Sequence, residues 1–154
     1  MKLPKFGLLI LSILIVSSLP AQSTSSIIGE WESTESDGHG KYSIFEHNGK
    51  LYALMYYWKD DKEEFSLEKE LGDYTNADAD SWDELSSSDI FDNLQELIIL
   101  KDFSKNGNSW KGDLIYDDDG STIDGSLSLL NNGQLELSYS YWGMTEKTSW
   151  TRIK

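Results

Sequence analysis

Gln134-Leu135-Glu136-Leu137-Ser138-Tyr139-Ser140-Tyr141 is the stretch that decides the fold. Apolar side chains fall at 135, 137, 139 and 141 and polar ones at 134, 136, 138 and 140, a period of two. Successive side chains of an extended chain point to opposite faces, so this is a strand with one face in a core and the other in water. Just upstream, beyond the turn residues Asn131-Asn132-Gly133, Ile123, Gly125, Leu127 and Leu129 alternate with Ser126 and Ser128 in the same way. Both strands are expected to line an interior.

Working outward, strand-forming runs recur with turn chemistry between them. Ile27 to Ser33 ends in Glu35-Ser36-Asp37-Gly38, and Lys41 to Glu46 and Lys50 to Trp58 flank His47-Asn48-Gly49. Asn-Gly supplies the positive φ angles that a tight hairpin requires. Gln95 to Phe103, Ser109 to Tyr116 and Ser121 to Leu130 are separated by Lys105-Asn106-Gly107-Asn108 and Asp117-Asp118-Asp119-Gly120, and Gly143 precedes a last run from Thr145 to Ile153. About eight strands with mostly short connections give an all-β, antiparallel up-and-down barrel, whose closure removes the sheet edges. One long interruption, Lys59 to Asn93, follows the third strand and reads as a connection with one or two short helices. Ser81-Trp82-Asp83-Glu84 has the form of a capping box, and Ile90, Phe91 and Leu94 follow at helical spacing. Trp82, Ile90 and Phe91 suggest that part of this connection packs down as a lid or plug.

At the N-terminus Lys2 and Lys5 precede an apolar run from Gly7 to Val16 and then Ser17-Ser18-Leu19-Pro20-Ala21, the layout of a signal peptide. The run is well short of the roughly 20 residues that span a bilayer, so no transmembrane anchor is expected in the mature chain. Residues 1–21 are read as a cleaved signal peptide, with cleavage after Ser18 as the alternative, and residues 22–154 as one exported domain, periplasmic or extracellular. The chain has 27 acidic residues against 13 Lys and Arg, a net charge of −14, and no basic segment after Ala21, which argues against nucleic acid as a partner. The absence of cysteine excludes a lipid-modified cysteine, thiol catalysis, a thiolate zinc site and a redox role.

Gly29-Glu30-Trp31 opens the first strand and Trp150-Thr151-Arg152 closes the last. In a closed barrel these strands pair, and a guanidinium stacked over an indole would latch the chain ends, a contact of on the order of 0.5–2 kcal/mol. Gly29, Trp31 and Arg152 are therefore assigned a structural role. Gly-x-Trp near the start with arginine near the end resembles the signature of the lipocalins and their calycin relatives. Further landmarks are Gly49-Lys50-Leu51-Tyr52, the run Trp110-Lys111-Gly112-Asp113-Leu114-Ile115-Tyr116-Asp117, Gly120, and Gly133-Gln134-Leu135. Together they resemble the bacterial domain of unknown function 2147 family over nearly the whole mature chain. The resemblance implies a small exported protein with a lipocalin-like barrel and no established activity. The sequence departs from the family pattern at Asp118-Asp119-Gly120-Ser121-Thr122-Ile123, at Ala53 where a glycine is usual, and in the acidity of residues 60–85.

The interior residues expected to hold a ligand are Tyr52, Leu54, Tyr56, Leu127, Leu129, Leu135, Leu137, Tyr139 and Tyr141, and the ligand class they suit is a small apolar or aromatic molecule. The alternative is a side-chain-filled barrel serving as an envelope interaction or structural module, with Trp58, Trp82 and Trp142 as an exposed aromatic patch. Calcium is a weaker reading: Asn76, Asp78, Asp80, Asp83 and Glu84 offer hard oxygens, as do Asp117, Asp118 and Asp119. However, Ser81 and Ser87 stand where an EF-hand needs glycine and glutamate, so no metal site is assigned. Neither a catalytic residue nor a cofactor is expected. His39 and His47 fall at predicted turns, and no nucleophile elbow, phosphate loop or His-Glu-x-x-His helix is present.

Overall fold

The structure is a computed structural model that describes residues 26–74, 81–117 and 119–154, with the side chains of 72–74 excepted. Residues 1–21, read above as a signal peptide, the candidate calcium positions Asn76, Asp78 and Asp80, and Asp118 lie outside the described residues.

The period-two stretches form strands: β1 Gly29–Glu35, β2 Gly38–His47, β3 Lys50–Lys59, β4 Glu64–Ser66, β5 Ile98–Asn106, β6 Ser109–Ile115, β7 Thr122–Leu129, β8 Leu135–Tyr141 and β9 Met144–Arg152. All pairings are antiparallel, and the order runs β1-β2-β3-β5-β6-β7-β8-β9 before returning to β1, an eight-stranded closed barrel. Closure is made by Trp31↔Arg152 and Glu32↔Thr151 and is extended by the amide of Ile153 donating to the carbonyl of Glu30 at 2.8 Å. At the Asn48-Gly49 hairpin both residues have positive φ, +50° and +75°, as the turn type demands. The ninth strand, β4, lies against the outer half of β3 through Tyr57↔Ser66 and Trp58↔Phe65.

The long connection carries two short helices, α1 Leu67–Tyr74 and α2 Ser87–Asn93, with one-turn 3-10 segments at Trp82–Glu84 and Gln95–Leu97. The capping box is made by Ser86 and Asp89, not by Ser81 and Glu84. Ser81 caps nothing, and its hydroxyl donates to Glu68 instead. Asp89 reaches back to the Ser86 backbone as a glutamate would, so a serine-to-aspartate spacing hid the true helix start.

Two apolar clusters result. Inside the barrel Trp31, Trp110, Trp150 and Phe103 pack with Ile44, Leu51, Ala53, Leu127, Leu135 and Leu137. Outside it Tyr52, Leu54 and Ile98 pack against Leu67, Leu71, Trp82, Ile90 and Leu94. Tyr52, Leu54 and Tyr56 therefore do not line the interior; Leu51, Ala53 and Met55 do. Leu51-Tyr52-Ala53-Leu54-Met55-Tyr56 is apolar on both faces because the helices cover the outer one, and alternation cannot orient such a strand.

Candidate functional site

The two ends of the barrel differ. At the base the Arg152 guanidinium lies 4.2 Å from the Trp31 ring centroid and donates to the carbonyls of Ile28, at 3.1 Å, and of Ser26. The Trp31 indole N–H donates to Ile27 at 2.9 Å. Gly29 has φ +138°, and a Cβ there would sit 2.6 Å from the Lys154 carbonyl, so only glycine lets the two ends approach this closely. The latch residues are thus brought together as their spacing implied.

Above this base the lumen is solid. The space among Ile44, Leu51, Ala53, Leu100, Phe103 and Leu127 does not admit a water. Phe103 lies flat over the cross-strand pair Gly112↔Gly125, filling the volume that two side chains would otherwise take. Leu127, Leu135 and Leu137 face inward as alternation implied, but they are buried in this plug, with Leu129 packed beside it. They form the floor of any site and not its wall.

Toward the other end, which carries the turns 35–38, 115–122 and 141–144, burial falls along every inward face. In β8 Leu135 and Leu137 are buried whereas Tyr139 and Tyr141 are half-exposed; in β9 Trp150 is buried and Glu146 exposed. Registers place Tyr139 opposite Glu146, and the Tyr139 hydroxyl donates to Glu146 Oε2 at 2.8 Å. Thr148 donates to Glu35 across the β1–β9 seam, and Ser33 and Tyr42 share a hydrogen bond of 3.2 Å below it. Partial burial, the bond to Glu146 and the charges of Glu146, Glu35 and Asp37 push the Tyr139 phenol up to about 12. Tyr116 and Tyr141 lie 4.3 Å apart between ring centroids. The hydrogen bond they share, with lesser effects from burial and from Asp117 and Glu146, raises Tyr116 to about 12.

Beside this rim β3 parts from β5, because the outer half of β3 pairs with β4. The gap is a cleft of about 520 Å³ with an apolar wall of Met55, Ile98, Ile99, Ile115 and Tyr116 and a polar edge of Gln95, Glu96 and Asp117. Met55 and Ile99 also pack on the barrel core, so the cleft lies against its side. A groove of about 550 Å³ on the outer wall, lined by Lys111, Asp113, Asp124, Ser126 and Ser138, lies over the same glycine pair but on the polar side of the strands. The cleft differs from the groove in the side chains that line it, which include Met55, Ile98, Ile99 and Ile115 beside polar groups, the mixture that small-molecule sites share.

Of the sequence-derived ligand residues, the structure thus places Tyr139 and Tyr141 at the accessible rim, Leu127, Leu129, Leu135 and Leu137 at the floor, and Tyr52, Leu54 and Tyr56 outside the barrel. Met55, Ile99, Ile115 and Tyr116 were missed, since they come from strand ends and from a strand whose two faces read alike. The histidines are not at turns: both belong to β2, where His39 meets Glu32 at 3.1 Å and His47 stacks on Phe91 at 4.2 Å. Nor do the three tryptophans form a patch. Trp82 is buried and Trp58 packs against Gly38, which leaves Trp142, 82% exposed, at the tip of the β8–β9 hairpin. Among the described residues no group of three or more His, Cys, Asp or Glu is arranged to hold a metal ion, and no helix is long and apolar enough to cross a membrane.

Comparison with known proteins agrees with this architecture. A solved structure of protein HP1028 from Helicobacter pylori, described as belonging to the lipocalin family, is 27% identical, covers 83% of each chain and superposes with a TM-score of 0.51. No curated protein matches the chain. The model of the family described as uncharacterized protein conserved in bacteria, DUF2147, matches residues 29–152. From the Gly29-Glu30-Trp31 opening to the Arg152 latch, the chain is a lipocalin-like barrel and belongs to the DUF2147 family.

Proposed function

We propose that the protein is an exported, non-catalytic binding protein that holds a small apolar or aromatic molecule at the rim of the barrel. The observation that carries this reading is the contrast between the two ends of the barrel: a tryptophan-packed base below, and above it half-exposed tyrosines beside a cleft of about 520 Å³ with one apolar wall. That volume lies within the range of roughly 300–1,000 Å³ typical of small-molecule sites. The signal-peptide layout of residues 1–21 supports export, which N-terminal sequencing of the protein recovered from the cell envelope would test. The reading assigns no reaction, although the Ser87 hydroxyl lies 3.2 Å from His47 Nδ1.

The test is titration with a neutral apolar fluorophore, N-phenyl-1-naphthylamine, in the wild type and in Ile99→Trp, which fills the cleft. Saturable binding that Ile99→Trp abolishes while the fold persists supports the reading; absence of binding to the wild type, or binding unchanged in the variant, overturns it.

A second reading, an interaction module with a filled barrel, is favoured by one observation, the 82% exposure of Trp142. With Met144, 62% exposed at the same hairpin tip, Trp142 makes only a small patch of a size that monomers commonly expose. The reading therefore ranks second.

A further inference from the structure

We infer that Tyr116 and Tyr141 form a modification site, a phenol pair that hydrogen peroxide and a haem peroxidase convert into an intramolecular dityrosine bridge across the open end of the barrel. Tyr116 follows β6 and Tyr141 ends β8, with β7 between those strands in the sheet, so the two rings meet from separate turns. Their centroids are 4.3 Å apart and their planes are tilted by 32°. The Tyr116 backbone is anchored through its amide, which donates to the Ser121 carbonyl at 2.8 Å. Every other tyrosine whose side chain is described faces a different kind of partner. Tyr42 stacks on Trp150 and Tyr56 on Trp82, Tyr52 meets Phe91, Tyr57 meets His39, and Tyr139 donates to Glu146.

The chemistry balances within the pair. Each phenol gives up one electron and its hydroxyl proton, and the hydrogen bond between the two hydroxyls places an oxygen ready to take a proton as the electron leaves. The two phenoxyl radicals join through a bond between ring carbons ortho to oxygen, and the hydrogens on those carbons move to the oxygens, restoring two phenols. The protein thus loses two hydrogen atoms, and hydrogen peroxide takes the two electrons and two protons and becomes two waters. Radicals on separate molecules must wait for an encounter, whereas these rings are already in place, which raises their effective concentration. Tyr116 is 45% exposed, so electron removal can begin at the surface. The chain has no cysteine, and a phenol bridge is a covalent staple open to it where a disulfide is not. By closing the chain from 116 to 141, β7 and β8 included, the bridge restricts the unfolded state as a disulfide does.

The experiment treats the dilute mature chain with hydrogen peroxide and a haem peroxidase and separates monomer from oligomer. The expected product is a monomer lighter by two hydrogen atoms, with the blue fluorescence of dityrosine and a proteolytic map that joins the segments holding 116 and 141. Tyr116→Phe, which cannot form a phenoxyl radical, is expected to lose the monomer fluorescence, and so is the wild type treated in denaturant. Tyr57→Phe, whose ring meets His39 instead, is expected to keep it. The bridged monomer is expected to melt higher than the untreated protein. Cross-links only between molecules, a map that joins other segments, or monomer fluorescence that survives in Tyr116→Phe or in denaturant overturns the inference. A monomer that only gains oxygen, at Trp142 or Met144 beside Tyr141, overturns it as well. A bridged monomer that melts no higher overturns the stapling role. The map of the wild type decides the matter even where Tyr116→Phe does not fold.

Discussion

The Arg152 guanidinium covers the face of the Trp31 indole at 4.2 Å, so the last strand of the chain closes the floor beneath the first. Trp31 is fully buried although it lies at the end of the barrel, and the arginine is part of what covers it. Arg152→Ala removes that cover and two hydrogen bonds to the carbonyls of Ser26 and Ile28. Arg152 is itself exposed, which discounts the electrostatic part, and a loss of about 1–2 kcal/mol follows. A lower thermal midpoint with an unchanged far-ultraviolet dichroism spectrum is the expected outcome; an unchanged midpoint would show that the ends hold without the latch.

Gly112 has little room to change. A Cβ there would lie 2.7 Å from the Lys101 carbonyl and 2.8 Å from the Phe103 Cα, both backbone atoms that cannot swing aside, and would also collide with the Phe103 ring. Gly112→Ala should therefore destabilise by about 1–3 kcal/mol, the usual cost of overpacking. Gly125→Ala meets only the tip of the Phe103 ring, at 3.0 Å, and should cost less. Denaturant midpoints of the two variants give the order, and a reversed order would mean that Phe103 does not lie over the pair in solution.

These two regions also show which features were legible in sequence. Gln134–Tyr141 could be oriented because one side of it faces water along its length. In β9 the inward row is Met144, Glu146, Thr148, Trp150 and Arg152, which has no apolar alternation because its outer half faces a wet rim. β3 failed for the opposite reason, since both of its faces are covered. Acid abundance hid the rim. With 27 carboxylates in the chain, Glu35 and Glu146 stand out only after barrel closure puts them on the inner wall.

Tyr52 gives a pH prediction. Its hydroxyl donates to Asp102 at 2.7 Å, and Asp102 takes φ +58° at an irregularity of β5, so this bond ties β3 to β5 while Phe91 of α2 packs on the Tyr52 ring. Burial, then the hydrogen bond to Asp102 and its charge, raise the phenol to about 12. A folded value above the unfolded one of about 10 means that the stabilisation is complete below pH 10 and is lost as the pH rises toward 12. The thermal midpoint of the wild type should fall over that interval. Tyr52→Phe should start lower at neutral pH and fall less steeply, and parallel curves for the two proteins would exclude Tyr52 as a source of the alkaline loss.

Trp142 occupies the first central position of the β8–β9 turn with φ +51°, followed by Gly143 at +77°, the pair of positive angles that a two-residue hairpin turn prefers to fill with Asn-Gly. A bulky residue is strained in that region, and a side chain 82% exposed recovers little from packing. Trp142→Asn should therefore stabilise the protein, by about 0.5–1 kcal/mol, through relief at a backbone conformation that asparagine adopts readily. The indole is 5.9 Å from the ring of Tyr141, which belongs to the rim pair, so the same change should weaken capture of an aromatic ligand there. A variant that melts higher and binds N-phenyl-1-naphthylamine less tightly would show that the strain is kept for recognition. If it melts higher and binds equally well, the tip lies outside the binding surface, and the aromatic contribution must come from Tyr116, Tyr139 and Tyr141 alone.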